Sequence, residues 1–158
     1  MIPPFGRQHR PVLAATSEYQ FSFTRLTRPV LAVLGVGPGT SWVRVEHDRL
    51  DVRFGPWRVQ TLLTNIASVE TSGPFGLVKA LGPRLSLADR GLTFGSDTDG
   101  GVCLRFIRPV TGLVPFGLLH HPGLTVTVST PQLLISRVGR SLEAQTEISS
   151  DPEGSTSA

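Results

Sequence analysis

The chain predicts a mainly β fold of antiparallel strands, finished by one C-terminal amphipathic helix. Three observations carry that expectation. Residues 42–72 alternate apolar and polar positions through consecutive short runs separated by turn residues, and a period of two gives each strand one buried and one wet face. Glycine and proline number 17 and 13 in 158 residues, which suits a protein with many turns. Leu134, Val138 and Leu142 recur every four residues, the spacing of one apolar stripe on a helix.

The length and a 39% apolar content fit one domain, placed at residues 17–146 between a flexible N-terminal tail at 1–16 and a disordered C-terminal tail at 147–158. The formal net charge is only +3, too small to indicate a nucleic-acid-binding protein, although almost every basic residue is arginine and Lys79 is the only lysine. Cys103 is the only cysteine, so no internal disulfide forms and a reducing, cytoplasmic setting is expected. The apolar run at residues 29–36 is far shorter than the ~20 residues that span a bilayer. No integral membrane segment is therefore expected. Neither is a signal peptide, because residues 1–6 lack a charged region followed by an apolar run.

In chain order, Tyr19, Phe21 and Phe23 alternate with Gln20, Ser22 and Thr24 as a first short strand. Gly35, Gly37 and Gly39 resemble a phosphate loop only superficially. A helix must follow such glycines, and here Pro38-Gly39-Thr40 runs into the next strand, so this is a turn. Val43 and Val45 form the buried phase of one strand, Leu50, Val52 and Phe54 of the next, and Trp57, Val59 and Thr61 of a third. Asp48-Arg49 and Gly55-Pro56 are the expected turns of this meander. A fourth strand is expected over 66–71 after a Thr64-Asn65 bend, and residues 75–81 as a helical turn or an apolar loop. Leu85, Leu87, Leu92 and Phe94 flank an Ala88–Gly91 turn as another hairpin, and residues 102–107 and 124–128 are strands. Pro131 opens the helix after Thr130 as N-cap, and the helix is expected to end near Gln145.

Residues 108–123 form a loop too apolar for a solvated linker, holding Val110, Leu113, Val114, Phe116, Leu118 and Leu119. Such a loop is expected to fold over an open end of the sheet or to face a partner. His120-His121 does not make a metal site, because adjacent extended residues point in opposite directions and neither His9 nor His47 completes a ligand set. Asp97 and Asp99 echo a calcium loop, but the glutamate needed at the twelfth position is Arg108. No cofactor is expected. There is no Gly-x-Ser-x-Gly elbow, and Cys103 sits mid-strand with no neighbouring histidine in sequence. Arg44, Arg53 and Arg58 share the wet phase of three neighbouring strands, where Glu46 and Asp51 are expected to balance them into a face of mixed charge.

The order of elements over residues 41–145, with DRLDVRFGPWRVQTLLTNIASVE and the ending VTVSTPQLLISRVGRSLEA, resembles bacterial pleckstrin-homology-like (PH-like) domains. FGPWRV, RLSLADRGLTF, GVCLRF and HPGLTVTV resemble a narrower, uncharacterised bacterial family. The resemblance implies a partly open antiparallel barrel of two sheets plugged by the helix. The basic first hairpin loop that binds phosphoinositides in eukaryotic relatives is replaced here by the short, mixed His47-Asp48-Arg49. The expectation is a non-catalytic domain that binds a protein or peptide through the 108–123 loop or an open sheet edge. The alternative is a small-molecule or lipid-binding β-barrel for an apolar or anionic ligand, lined by Phe54, Trp57, Phe94 and Phe106, with Arg105, Arg108 and His120 or His121 at its mouth. Arg105, Arg108, Phe116, His120 and His121 are the candidate binding residues on these readings. An enzyme ranks third.

Overall fold

Alternation of buried and wet residues produces two sheets, and the computed structural model describes residues 16–73, 82–85, 90–97, 99–112 and 119–150 of the chain. The first sheet runs in the order β1 (Ser17–Gln20), β2 (Ser41–Glu46), β3 (Arg49–Phe54), β4 (Trp57–Leu62), and every pairing in it is antiparallel. Its first hairpin turns at His47-Asp48, one residue earlier than expected, so Glu46 faces Arg49 and Val45 faces Leu50. A turn at Asp48-Arg49 would keep the buried phases matched, with Val45 opposite Val52, but would pair the imidazole of His47 with the buried Leu50.

A single 3-10 turn, Leu63–Asn65, carries the chain into the second sheet. That sheet contains β5 (Ile66–Ser72), β6 (Gly82–Leu85), β7 (Leu92–Gly95), β8 (Gly101–Thr111) and β9 (His120–Val126), in the order β5-β8-β9-β7-β6. The β6–β7 hairpin is present, with Pro83 facing Phe94 and Leu85 facing Leu92. The expectation of antiparallel strands throughout needs correction, because β7 runs parallel to β9, with Leu92, Thr93 and Phe94 facing Leu124, Thr125 and Val126. Strand β8 has both edges occupied, by β5 and by β9. The β6–β7 hairpin joins the far edge of β9, which it meets in the parallel sense.

Two further corrections concern the ends of elements. Strand β8 continues to Thr111 and β9 begins at His120, so both histidines lie in a strand and the connection is shorter than the expected loop. The first strand stops pairing with β2 at Gln20; Phe21 then bridges to Val128, Ser22 N–H donates to Thr127 O (3.0 Å) and Ser129 N–H to Gln20 O (2.9 Å). This switch ties the two sheets together on one side, while the 3-10 turn joins them on the other. They do not close into one barrel. A short helix absent from the sequence reading, α1 (Thr27–Ala32), follows; Thr24 and Thr27 each accept the other's backbone N–H through their hydroxyls at 3.1 Å.

One core fills the space between the sheets. Phe54 stacks on Phe94 at 5.1 Å between ring centroids, with Phe21 at 5.0 Å from Phe54 and Trp57 at 6.5 Å. Helix α2 (Pro131–Ser149) packs against β5, the 3-10 turn and β8, burying Leu134 and Val138, with Leu142 partly covered. It runs past the expected end at Gln145 and into the segment assigned to a tail. Gln145, Thr146 and Glu147 contain no helix breaker, and Ser150 N–H closes the last turn on Thr146 O at 3.0 Å. The expected turn at residues 75–81 and the tails at 1–15 and 151–158 lie outside the described residues.

Candidate functional site

The Thr64-Asn65 bend does more than turn the chain. Asn65 Oδ1 accepts the Arg108 N–H at 2.8 Å, and Asn65 Nδ2 donates to Arg108 O at 2.9 Å and to Thr61 Oγ1 at 2.9 Å. One side-chain amide thus stands in for a strand partner and holds the backbone of β8 against the corner between the sheets. The β5–β8 ladder ends at Ile66 and Phe106, and the β8–β9 ladder is interrupted between Arg105 and Val110, so residues 107–109 depend on this tie.

Beside the clamp lies a groove of about 500 Å³ lined by Thr61, Leu62, Thr64, Asn65, Ile107 and Arg108. Leu62 and Ile107 are large apolar side chains in the wet phase of β4 and β8, and both are exposed. The groove runs alongside the outer edge of β4, which pairs only with β3 among the described residues. The two-residue Gly55-Pro56 hairpin makes Phe54–Trp57 a hydrogen-bonded pair, and with it Val52–Val59 and Leu50–Thr61. The N–H and C=O groups of Arg58, Gln60 and Leu62 consequently point away from β3. The site combines a row of backbone donors and acceptors, two apolar contacts and an arginine at the rim.

Of the residues singled out from sequence, Arg108 lines this groove and Arg105 does not. Arg105 is exposed on the outer face of β8, its stem beside Gly123, whose added Cβ would lie 3.8 Å from Arg105 Cδ. His120 is exposed opposite Thr111. His121 is buried opposite Val110, and its Nδ1 donates to Arg90 O at 3.1 Å, while Nε2 meets no hydrogen-bond partner among the described residues. Phe116 lies outside the described residues. Sequence reasoning missed Leu62 and Ile107, although the signal was there: each is an apolar residue in a position that alternation reserves for water.

The barrel-ligand expectation placed a cavity at Phe54, Trp57, Phe94 and Phe106. Phe54, Phe94 and Phe106 are buried in the core and Trp57 packs against it, with the Phe54 ring against those of both Trp57 and Phe94. A second, more polar cleft of about 330 Å³ lies between Ser22, Asp97, Asp99 and the first turn of α2. The aspartates that echo a calcium loop diverge there, with Asp97 buried and accepting from the Ser22 hydroxyl and Asp99 exposed. Among the described residues, no group of three or more His, Cys, Asp or Glu is placed to hold a metal ion, and no helix is long and apolar enough to cross a membrane.

Two arginines of the first sheet, Arg44 and Arg58, gather around Trp42. The Arg44 guanidinium lies 3.9 Å from the ring centroid and that of Arg58 at 6.0 Å. Arg44 pairs with Glu18 at 2.6 Å, and Arg58 makes two hydrogen bonds to Asp51. Partial burial pushes the Asp51 carboxyl upward, but Arg58, helped by Gln60 and Arg44, outweighs it and holds the carboxyl below its ordinary range. The face is one of mixed charge, with Glu18 taking the place expected of Glu46. No family model, curated protein or solved structure matches the chain.

Proposed function

We propose that the chain is a non-catalytic, PH-like binding domain that takes an extended peptide segment of a partner protein along the open edge of β4. The observation that carries this reading is the coincidence of three features at one place. They are the outward backbone groups of Arg58, Gln60 and Leu62, the apolar pair Leu62 and Ile107, and the Arg108 rim. A peptide added as a fifth strand would gain main-chain hydrogen bonds from the edge and side-chain selectivity from the groove. The arginine would favour a carboxylate or chain terminus on that peptide.

The sheet switch at Phe21–Val128, the 3-10 corner and α2 packed over β5 and β8 support the partly open PH-like arrangement. The lone Cys103 supports a reducing, cytoplasmic setting.

The test is a random-peptide display selected on the full chain, with the enriched peptides titrated into isotope-labelled protein and followed by NMR. The expected shifts fall on the amides of Arg58, Gln60, Leu62, Ile107 and Arg108, and Ile107→Asp weakens binding roughly tenfold or more while leaving stability within about 0.5 kcal/mol. Shifts confined to another face, or binding indifferent to Ile107→Asp, would sink the proposal.

A further inference from the structure

Helix α1 is a short ridge held firmly on one side and, among the described residues, bare on another. Thr27 and Leu31, one turn apart, face inward; the Thr27 hydroxyl donates to Ser96 O at 2.9 Å, and Leu31 and Val36 are buried. Leu26, Val30 and Val33, at i, i+4 and i+7, share an outward side of the helix, and Leu34 continues the patch. Val33 is 86% exposed and Leu26 67%, the most open large apolar side chains of this segment. An anchored helix that turns four aliphatic side chains to water is an interaction surface.

Its charge identifies the occupant. Arg25 and Arg28 are exposed at the base of the ridge, and no acidic residue occurs between Glu18 and Glu46. Gly82 lies beside Leu34, with its added Cβ 3.9 Å from Leu34 Cδ1, and Arg84 follows it in β6. We propose that the α1 ridge docks on an anionic lipid bilayer, with Leu26, Val30, Val33 and Leu34 entering the acyl boundary and Arg25 and Arg28 pairing with lipid phosphates. A second copy fits less well, because a two-fold contact through the ridge would set Arg25 and Arg28 against their own counterparts. A specific protein partner would need oriented polar groups, whereas the patch of Pro29, Val30, Val33 and Leu34 is aliphatic throughout. A fluid apolar layer under a negative surface asks only for aliphatic depth and positive charge. The ridge is separate from the β4 groove and from the His47-Asp48 turn, so it is a second site of different chemistry.

The experiment uses the full chain with large vesicles of phosphatidylcholine alone or with about a third phosphatidylglycerol, separated by sedimentation at low and high salt. The expected result is binding to the anionic vesicles only, weakened by salt. Val30→Asp with Val33→Asp should lower partitioning roughly tenfold or more, and Arg25→Gln with Arg28→Gln should do so by a smaller factor. An environment-sensitive dye on Val33→Cys, in a Cys103→Ser background, should shift to the blue with anionic vesicles, a readout that survives if the aspartate pair fails to fold. Three results would overturn the proposal: no vesicle binding, binding and dye response indifferent to the ridge, or dimers in sedimentation velocity that Val33→Asp dissolves.

Discussion

Replacing Asn65 with alanine should loosen the corner that shapes the β4 groove. The side-chain amide makes three hydrogen bonds, two of them to the backbone of Arg108. A neutral hydrogen bond contributes about 0.5–1.5 kcal/mol net, and the Arg108 backbone groups are exposed enough to turn to water when freed. The loss should therefore be about 1–2 kcal/mol, near the low end of the sum. At this chain length that corresponds to a fall in Tm of about 2–4 °C per kcal/mol. Urea unfolding measures the loss, and hydrogen exchange at the Arg108 amide reports whether it arises at the clamp. Asn65→Asp can keep the acceptor for Arg108 N–H but loses both donors, so it should not restore the wild-type stability. A cost below about 0.3 kcal/mol, or unchanged protection at Arg108, would refute the idea that this amide replaces a strand.

Three other outcomes follow from the packing and charge. Phe94→Ala removes the ring stacked on Phe54 in a fully buried position and should cost about 3–5 kcal/mol in urea unfolding. Gly112→Ala would set a Cβ 2.4 Å from Val59 Cγ2 and 3.0 Å from Leu92 Cδ2, both in the core, and should cost about 1–3 kcal/mol; neutrality would mean the end of β8 is looser than described. Asp51→Asn removes a carboxylate that Arg58 holds below its ordinary range. A depressed folded-state value adds stability above the unfolded pKa, and that stability disappears as pH falls through the folded one. Wild type should therefore exceed the Asn variant by less than about 1 kcal/mol at neutral pH, with the gap closing below about pH 4. A gap independent of pH would contradict that assignment.

Alternation made the meander legible because Val43, Val45, Leu50, Val52, Phe54 and Val59 all point into one core. The helix was legible from Leu134 and Val138 for the same reason. Strand order was not, since the pattern of Leu92 and Phe94 is the same whether the neighbour runs parallel or antiparallel. Helix α1 escaped notice because only Thr27 and Leu31 of its six residues are buried, too few to set a period. The groove was half-legible: Arg108 stood out, whereas Asn65 acts through a contact 43 residues away in sequence.

Residue-resolved hydrogen exchange along β4 in the free chain tests the open edge most directly. Slow exchange is expected at Trp57, Val59 and Thr61, whose N–H groups face β3, and fast exchange at Arg58, Gln60 and Leu62, which face the open edge. Peptide binding should then slow the second set. Uniform protection of all six amides in the free protein would mean that the edge is already covered, and the groove would not be the binding site.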